Sequence, residues 1–134
     1  MSSADQLTLE WLPGRYAVCR LDADAPVPGW ALDSRRFISI TRTDLELSIV
    51  CDESIVPADV KSQRGFAAMP IVGQEDMATI GIFAKLTTAL AEARLPVFVL
   101  STYDTDYLMV RAQFAAQAAD ALIGAGCSIV NRAP

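Results

Sequence analysis

Short apolar runs alternate with two amphipathic segments over residues 66–130, and this order constrains the fold more than any other feature of the chain. The runs are rich in β-branched and aromatic residues, as strands are, whereas the amphipathic segments carry apolar residues three and four apart, as helices do. The predicted strands are Phe66–Gly73, Pro96–Ser101, Asp106–Arg111 and Cys127–Val130. One helix follows the first strand and one follows the third, so the order β-α-β-β-α-β predicts an α+β, ferredoxin-like antiparallel sheet with both helices on one face.

The two predicted helices differ in the residues that begin and end them. The first covers residues 79–94, with Thr79 as its N-cap, and ends at Leu95-Pro96 because proline disfavours helical backbone in the residue before it. Its apolar face is formed by Phe83, Leu86 and Leu90. The second helix carries Phe114, Ala118 and Leu122 at four-residue spacing, with Gly124 and Gly126 as candidates for its C-cap.

The first half of the chain is strand-rich and poor in helical patterns. Two strand-like runs, Leu7–Leu12 and Arg15–Leu21, flank the Pro13-Gly14 turn. A hairpin is predicted from Phe37–Thr41 and Leu45–Cys51, and a helical turn near Trp30 precedes it. The polar segment at residues 57–64 is the plausible boundary between this half and the next.

Composition limits the functions that a chain of 134 residues can have. Hydrophobic residues make up 52% of it and the mean hydropathy is +0.31, which favours a folded chain that covers apolar surface by self-association. The net charge of −5 argues against nucleic-acid binding. No apolar run approaches the roughly 18 residues of a membrane span, and Met1–Glu10 lacks the basic start of a signal peptide. A cytoplasmic protein without membrane association is therefore expected.

The chain contains no histidine, which excludes a Ser-His-Asp triad, a Cys-His pair and a histidine metal site. Cys19, Cys51 and Cys127 are far apart and lie in apolar runs, so they are predicted to be buried, reduced thiols. We identify no catalytic residue and expect neither a metal ion nor a cofactor.

Three segments of the second half resemble the ACT-domain proteins of the CASTOR-like branch and their small bacterial relatives: Gly81–Thr87, Leu95–Phe98 and Ser101–Tyr107. Two segments of the first half, Leu12–Cys19 and Ser39–Thr43, are also similar. The resemblance implies two tandem ferredoxin-like modules, a degenerate one over residues 1–60 and a regular one over residues 61–134. It also implies a regulatory protein that binds an amino acid between modules, as the CASTOR sensors hold arginine.

Carried over to this sequence, the same resemblance implies a set of ligand contacts at the start of the first helix and at the turn after residue 101. These residues are Gly81, Ile82, Thr102, Tyr103 and Asp106. Thr79 and Ile80 lie where the arginine sensor has an acidic and a small residue, so this chain differs from the sensor at the positions that would select arginine.

Elementary chemistry supports a site of this kind. Free N–H groups at a helix start suit a carboxylate, and Gly81 lets a ligand backbone approach closely, although tight packing of the helix on a strand is an equal explanation for the glycine. The Asp106 carboxylate could bind an ammonium group of the ligand, or it could cap its own turn. Asp104 is better explained as a residue that forms the turn than as a ligand contact.

Three functions compete at this point. The favoured one is a non-enzymatic, amino-acid-binding regulatory protein that forms a homodimer and acts on a separate protein effector. The second is an assembly module of the ACT type that has no ligand. The third is a small ferredoxin-like enzyme, for which the acidic and phenolic groups near residue 104 have no nucleophile to act with.

Overall fold

The computed structural model describes residues 7–72 and 77–131, with the side chains of residues 72 and 77–80 excepted. The acidic turn predicted at residues 74–76 lies outside these ranges, as does Gly73. The strands are β1 (Thr8–Glu10), β2 (Tyr16–Leu21), β3 (Ile38–Arg42), β4 (Leu47–Asp52), β5 (Ser62–Val72), β6 (Phe98–Ser101), β7 (Thr105–Arg111) and β8 (Ser128–Val130). The α-helices are α1 (Met77–Glu92) and α2 (Ala115–Gly124).

The chain forms two compact units. One unit is Gly14–Phe66, which we call the inserted unit. The other, which we call the flanking unit, consists of the residues through Pro13 together with those from Ala67 onward. Compact units and tandem modules are different divisions of a chain, so the expected module boundary at residue 60 stays a prediction. Because β1 pairs in parallel with β8, the first described residues belong with the second half of the chain.

The inserted unit is a small antiparallel sheet. Strand β2 pairs with β4 and with the first residues of β5, and β4 pairs with β3 in the hairpin that the sequence predicts. Side chains alternate between the two faces of a strand, so Cys19 and the neighbouring Ile49 share one face. That face forms the core of the unit together with Ala31 of a short 3₁₀ helix, Gly29–Asp33, which is the helical turn expected near Trp30.

The flanking unit contains both α-helices and the larger apolar core. Side chains of α1, α2, β5 and β7 meet in this core, and its fully buried members include Leu86, Leu90, Met69 and Leu122. Among the predicted strands, β6 and β7 form an antiparallel hairpin. The mixed α+β architecture of the ferredoxin-like class is therefore confirmed.

Three details differ from the sequence predictions. Helix α1 begins at Met77, so Thr79 lies inside the first turn and is not the N-cap. Strand β5 begins at Ser62, within the segment predicted to be a polar connector, because its first residues pair with β2. Strand β8 pairs with β1 in a separate two-stranded parallel sheet and does not close the antiparallel one.

Both helices end in a left-handed residue that satisfies the last carbonyl groups. After α1, Leu95 N–H donates to Leu90 O at 3.0 Å and Arg94 N–H donates to Ala91 O at 2.9 Å, with φ of Arg94 at 61°. After α2, Gly126 takes the same position with φ at 105°, as the sequence predicts for a C-cap. Arginine thus occupies a position that favours glycine.

Candidate functional site

The start of α1 and the turn between β6 and β7 lie at one end of the sheet. Strand β7 lies between β5 and β6, and β5 connects to β6 through α1. A strand–helix–strand connection of this kind joins strands that run in the same direction. The carboxyl end of β5, from which the chain leads to α1, is therefore at the same end of the sheet as the carboxyl end of β6.

The β6–β7 turn is a tight hairpin that holds Asp106 in place. Thr102 N–H donates to Thr105 O at 2.8 Å, and the Thr102 hydroxyl donates to the same oxygen at 3.2 Å. Ser101 is the register partner of Asp106, and its hydroxyl donates to Asp106 Oδ1. Asp106 is half-buried, whereas the Tyr103 side chain is fully exposed. Asp106 is thus an oriented carboxylate, while Tyr103 has no packing that orients its ring.

The four helix residues of the predicted site lie on two successive turns of α1. Thr79 and Ile80 are its third and fourth residues, and their side chains lie outside the described part of the structure. Gly81 is the fifth residue and is exposed, and a Cβ at Gly81 would have no atom within 4 Å. This rules out tight packing as the reason for the glycine. Ile82 is buried in the core of the flanking unit.

Gly81 also lines a shallow groove of about 660 Å³ between α1 and α2. The groove is formed mostly by small side chains, among them Ala84, Ala89 and Ala121, together with Lys85 and Glu92. None of its lining residues belongs to the hairpin that carries Asp106. The groove and the hairpin are therefore two separate features of the flanking unit.

The three cysteines are free and buried, as predicted. The hydrogen bond from the Cys51 thiol lowers the pKa of Cys19, an effect that burial opposes and the Arg64 guanidinium reinforces. The pKa of Cys51 is raised, first by that hydrogen bond, then by burial and by the negative charges of Cys19 and Asp52. Since Cys19 and Cys51 are 1% and 0% exposed, this pair belongs to the core of the inserted unit and not to a reactive site.

Sequence reasoning missed one buried carboxylate. Asp52 is 8% exposed, and its Oδ2 accepts hydrogen bonds from Arg35 N–H at 3.0 Å and Arg36 N–H at 3.3 Å. Its Oδ1 is buried without a hydrogen-bond partner in the described residues. An aspartate that ends the apolar run Leu47–Cys51 was the available indication, since a charge beside such a run needs a partner.

The described residues contain neither a candidate metal site nor a candidate membrane helix. No group of three or more histidine, cysteine, aspartate or glutamate side chains in residues 7–72 and 77–131 is arranged to hold a metal ion. No helix in the same ranges is long and apolar enough to cross a membrane.

Comparison with known proteins identifies two family models and several solved structures. A model described as an ACT domain matches residues 61–123, and one described as an N-terminal domain matches residues 14–59. Protein Atu0741 from Agrobacterium tumefaciens is 38% identical, with 92% of each chain covered and a TM-score of 0.86. Protein VC0802 from Vibrio cholerae is 23% identical, with 92% of each chain covered and a TM-score of 0.73.

The fold is shared with a protein whose role is regulatory. The regulatory subunit of aspartate kinase from Thermus flavus is 13% identical, with a TM-score of 0.58, and the match covers 87% of this chain and 95% of that one. At this identity the likeness concerns the fold alone. No curated protein matches the chain.

Proposed function

We propose that this chain, an ACT-domain protein that belongs to the same family as Atu0741 from Agrobacterium tumefaciens, is a non-enzymatic regulatory protein that binds a free amino acid. The observation that carries the proposal is the oriented, half-buried carboxylate of Asp106 at the end of the sheet where α1 begins. The likeness in fold to a regulatory subunit supports the regulatory part.

In this proposal the two charged groups of the ligand bind at two places. The ligand carboxylate accepts hydrogen bonds from the first N–H groups of α1, which have no partner within a helix and lie at the positive end of its dipole. The ligand ammonium donates to Asp106, which Ser101 already holds in one orientation. Thr102 and Tyr103 flank this position, and Thr79 and Ile80 are the third and fourth residues of α1.

We further propose that the chain consists of two tandem ACT-type modules, over residues 1–60 and 61–134, and belongs to the CASTOR-like branch. The two family matches, which end at residue 59 and begin at residue 61, support this division. The ligand would bind at an interface between modules in a homodimer, and a separate protein would respond to it. Three buried, reduced cysteines support a reducing compartment, the cytoplasm, as the place where the protein works.

The test compares Asp106→Asn with Asp104→Asn in a thermal-shift screen of the twenty amino acids. A ligand at a hundred times its Kd adds about 2.7 kcal/mol to stability, which is a shift of roughly 10 °C for a chain of this length. We expect a selective shift in the wild-type protein and in Asp104→Asn, whose side chain is exposed in the turn. The shift should vanish in Asp106→Asn while its melting temperature without ligand stays close to that of the wild type.

A second function, a ligand-free assembly module, is favoured by the exposed apolar side chains. Ile38 and Ile40 share one face of the edge strand β3 and are 40% and 39% exposed. Side chains of this kind are typical of a surface that another chain covers. A stable dimer that shows no thermal shift with any of the twenty amino acids would favour the assembly module and refute the sensor.

A further inference from the structure

A polar groove of about 270 Å³ lies on the sheet of the inserted unit. Its lining residues lie in or next to β2, β4 and β5, and among them are Val18, Arg20, Glu46, Ser48, Lys61 and Gln63. Arg20 is the register partner of Ser48, and Val18 is the partner of Gln63, so these side chains share one face of the sheet. The apolar core of the unit, with Cys19 and Ile49, is on the other face.

Three charged side chains border this groove. Arg20 of β2 and Lys61, the residue before β5, are exposed cations, and the Arg20 backbone N–H donates to Lys61 O at 2.9 Å. Glu46, the residue before β4, is half-buried. No ion pair joins these three groups to one another or to any other side chain in residues 7–72 and 77–131. Two cations and one carboxylate therefore remain available to a small molecule.

Hydrogen bonds hold the side chain of Arg20 and the backbone of Glu46 in place. The Arg20 guanidinium donates through Nη2 to Leu45 O at 3.1 Å, which leaves its other N–H groups for an incoming acceptor. Glu46 is fixed through the turn before it, because Thr43 Oγ1 accepts from Leu45 N–H at 3.1 Å and from Glu46 N–H at 3.2 Å. Thr43 N–H also donates to Glu46 O at 2.9 Å. An oriented guanidinium and a carboxylate carried on a fixed backbone thus border one groove.

We propose that this groove is a second binding site, for a small zwitterion that carries one carboxylate and one ammonium group. Arg20 and Lys61 bind the carboxylate, for which guanidinium gives paired N–H donors, and Glu46 with the Ser48 hydroxyl accepts the ammonium protons. The volume admits only a small molecule. Glu46 disfavours a polyanion, so a nucleic acid does not fit. All lining residues belong to the inserted unit, and the site is independent of the one proposed at Asp106.

The test uses the full chain with Asp106→Asn, so that failure of the first site does not affect the result. Glycine, alanine, β-alanine and 4-aminobutyrate are each added at about 10 mM, and backbone amide resonances are followed by heteronuclear NMR. We expect at least one zwitterion to shift the amides of Val18, Arg20 and Ser48. The α- and ω-amino acids differ in the spacing of their charges, so the probe that binds gives the distance that the groove requires.

Single-charge probes and variants complete the test. Acetate and ethylammonium should each bind at least tenfold more weakly than the zwitterion, and Glu46→Gln and Lys61→Gln should each raise its Kd at least tenfold. Arg15→Gln, an exposed arginine outside the groove, should leave the Kd unchanged. Lys61→Gln serves in place of Arg20→Gln, because Lys61 makes no side-chain hydrogen bond in the described residues that the fold would lose. Acetate binding as tightly as the zwitterion would overturn the proposal, and so would unshifted resonances with all four zwitterions.

Discussion

Removal of the Asp52 carboxylate is the sharpest test of how the inserted unit is held together. Asp52 is the last residue of β4. Its side chain joins this strand to the segment before β3, because Oδ2 accepts hydrogen bonds from both the Arg35 and the Arg36 N–H. The connection is reinforced by Ser34, whose hydroxyl accepts from Asp52 N–H at 2.9 Å and donates to Phe37 O at 2.5 Å. Asp52→Ala removes the carboxylate and leaves two partly buried N–H groups without their acceptor.

The expected cost follows from the hydrogen bonds. A hydrogen bond to a charged group contributes about 1.5–3 kcal/mol, and two such bonds are lost in Asp52→Ala. The buried Oδ1 has no partner, so its desolvation offsets part of that contribution. We therefore expect Asp52→Ala to lower the free energy of unfolding by about 2–4 kcal/mol. Asp52→Asn keeps one oxygen that can accept both N–H groups, and its cost should be about 1 kcal/mol or less.

Urea unfolding measures both variants, with Asp59→Ala as the control. Asp59 is exposed and makes no side-chain hydrogen bond in the described residues, so its loss should cost about 0.5 kcal/mol or less. Hydrogen exchange at the Arg35 and Arg36 amides should accelerate in Asp52→Ala and stay slow in Asp52→Asn. If the alanine variant costs less than about 1 kcal/mol, or the asparagine variant costs as much as alanine, the reasoning from these two hydrogen bonds is wrong.

Two further substitutions concern α1, one at Arg94 just after its end and one at Gly81 inside it. Arg94→Gly should stabilise the protein by about 1 kcal/mol, because the residue has φ of 61° and glycine adopts this region without strain. Urea unfolding measures the change, and an unchanged or lower free energy of unfolding would contradict this prediction. Gly81→Ala should also stabilise the protein by about 1 kcal/mol, because a Cβ at this exposed helix position meets no atom within 4 Å. If a ligand backbone approaches Gly81, the thermal shift produced by that ligand should fall in the same variant.

The sequence alone was sufficient to predict those elements whose structure depends on residues that are neighbours in the chain. The β3–β4 hairpin follows from two alternating runs around a short turn, and its strands pair as expected. Helix α2 follows from the spacing of Ala118 and Leu122, both buried, and from Gly126, whose positive φ ends it. In each case the residues that fix the element lie within it or next to it.

The sequence alone was insufficient to predict those pairings in which a strand or side chain contacts a residue far away in the chain. β1 pairs with β8, and Asn131 donates to Glu10 at 2.8 Å across a separation of 121 residues. The first residues of β5 have no apolar alternation, yet they pair with β2, and Gly65 N–H donates to Glu53 Oε1 at 2.6 Å. A pattern of single residues contains no record of these long-range pairings, so the pairing of β1 with β8 and the start of β5 could not be predicted from it.

The proposed amino-acid site has one part that could be predicted from neighbouring residues and one part that could not. The hairpin that orients Asp106 is local, and the sequence predicted its turn. The start of α1 lies four residues before Gly81, so in a regular helix the Gly81 N–H donates within α1, and the groups free for a carboxylate belong to residues 77–80. Thr79 and Ile80 therefore lie closer to the proposed carboxylate position than Gly81 does, and the buried Ile82 supports the helix from the core. Ligand selectivity should accordingly depend on Thr79 and Ile80, the two positions at which this chain differs from the arginine sensors.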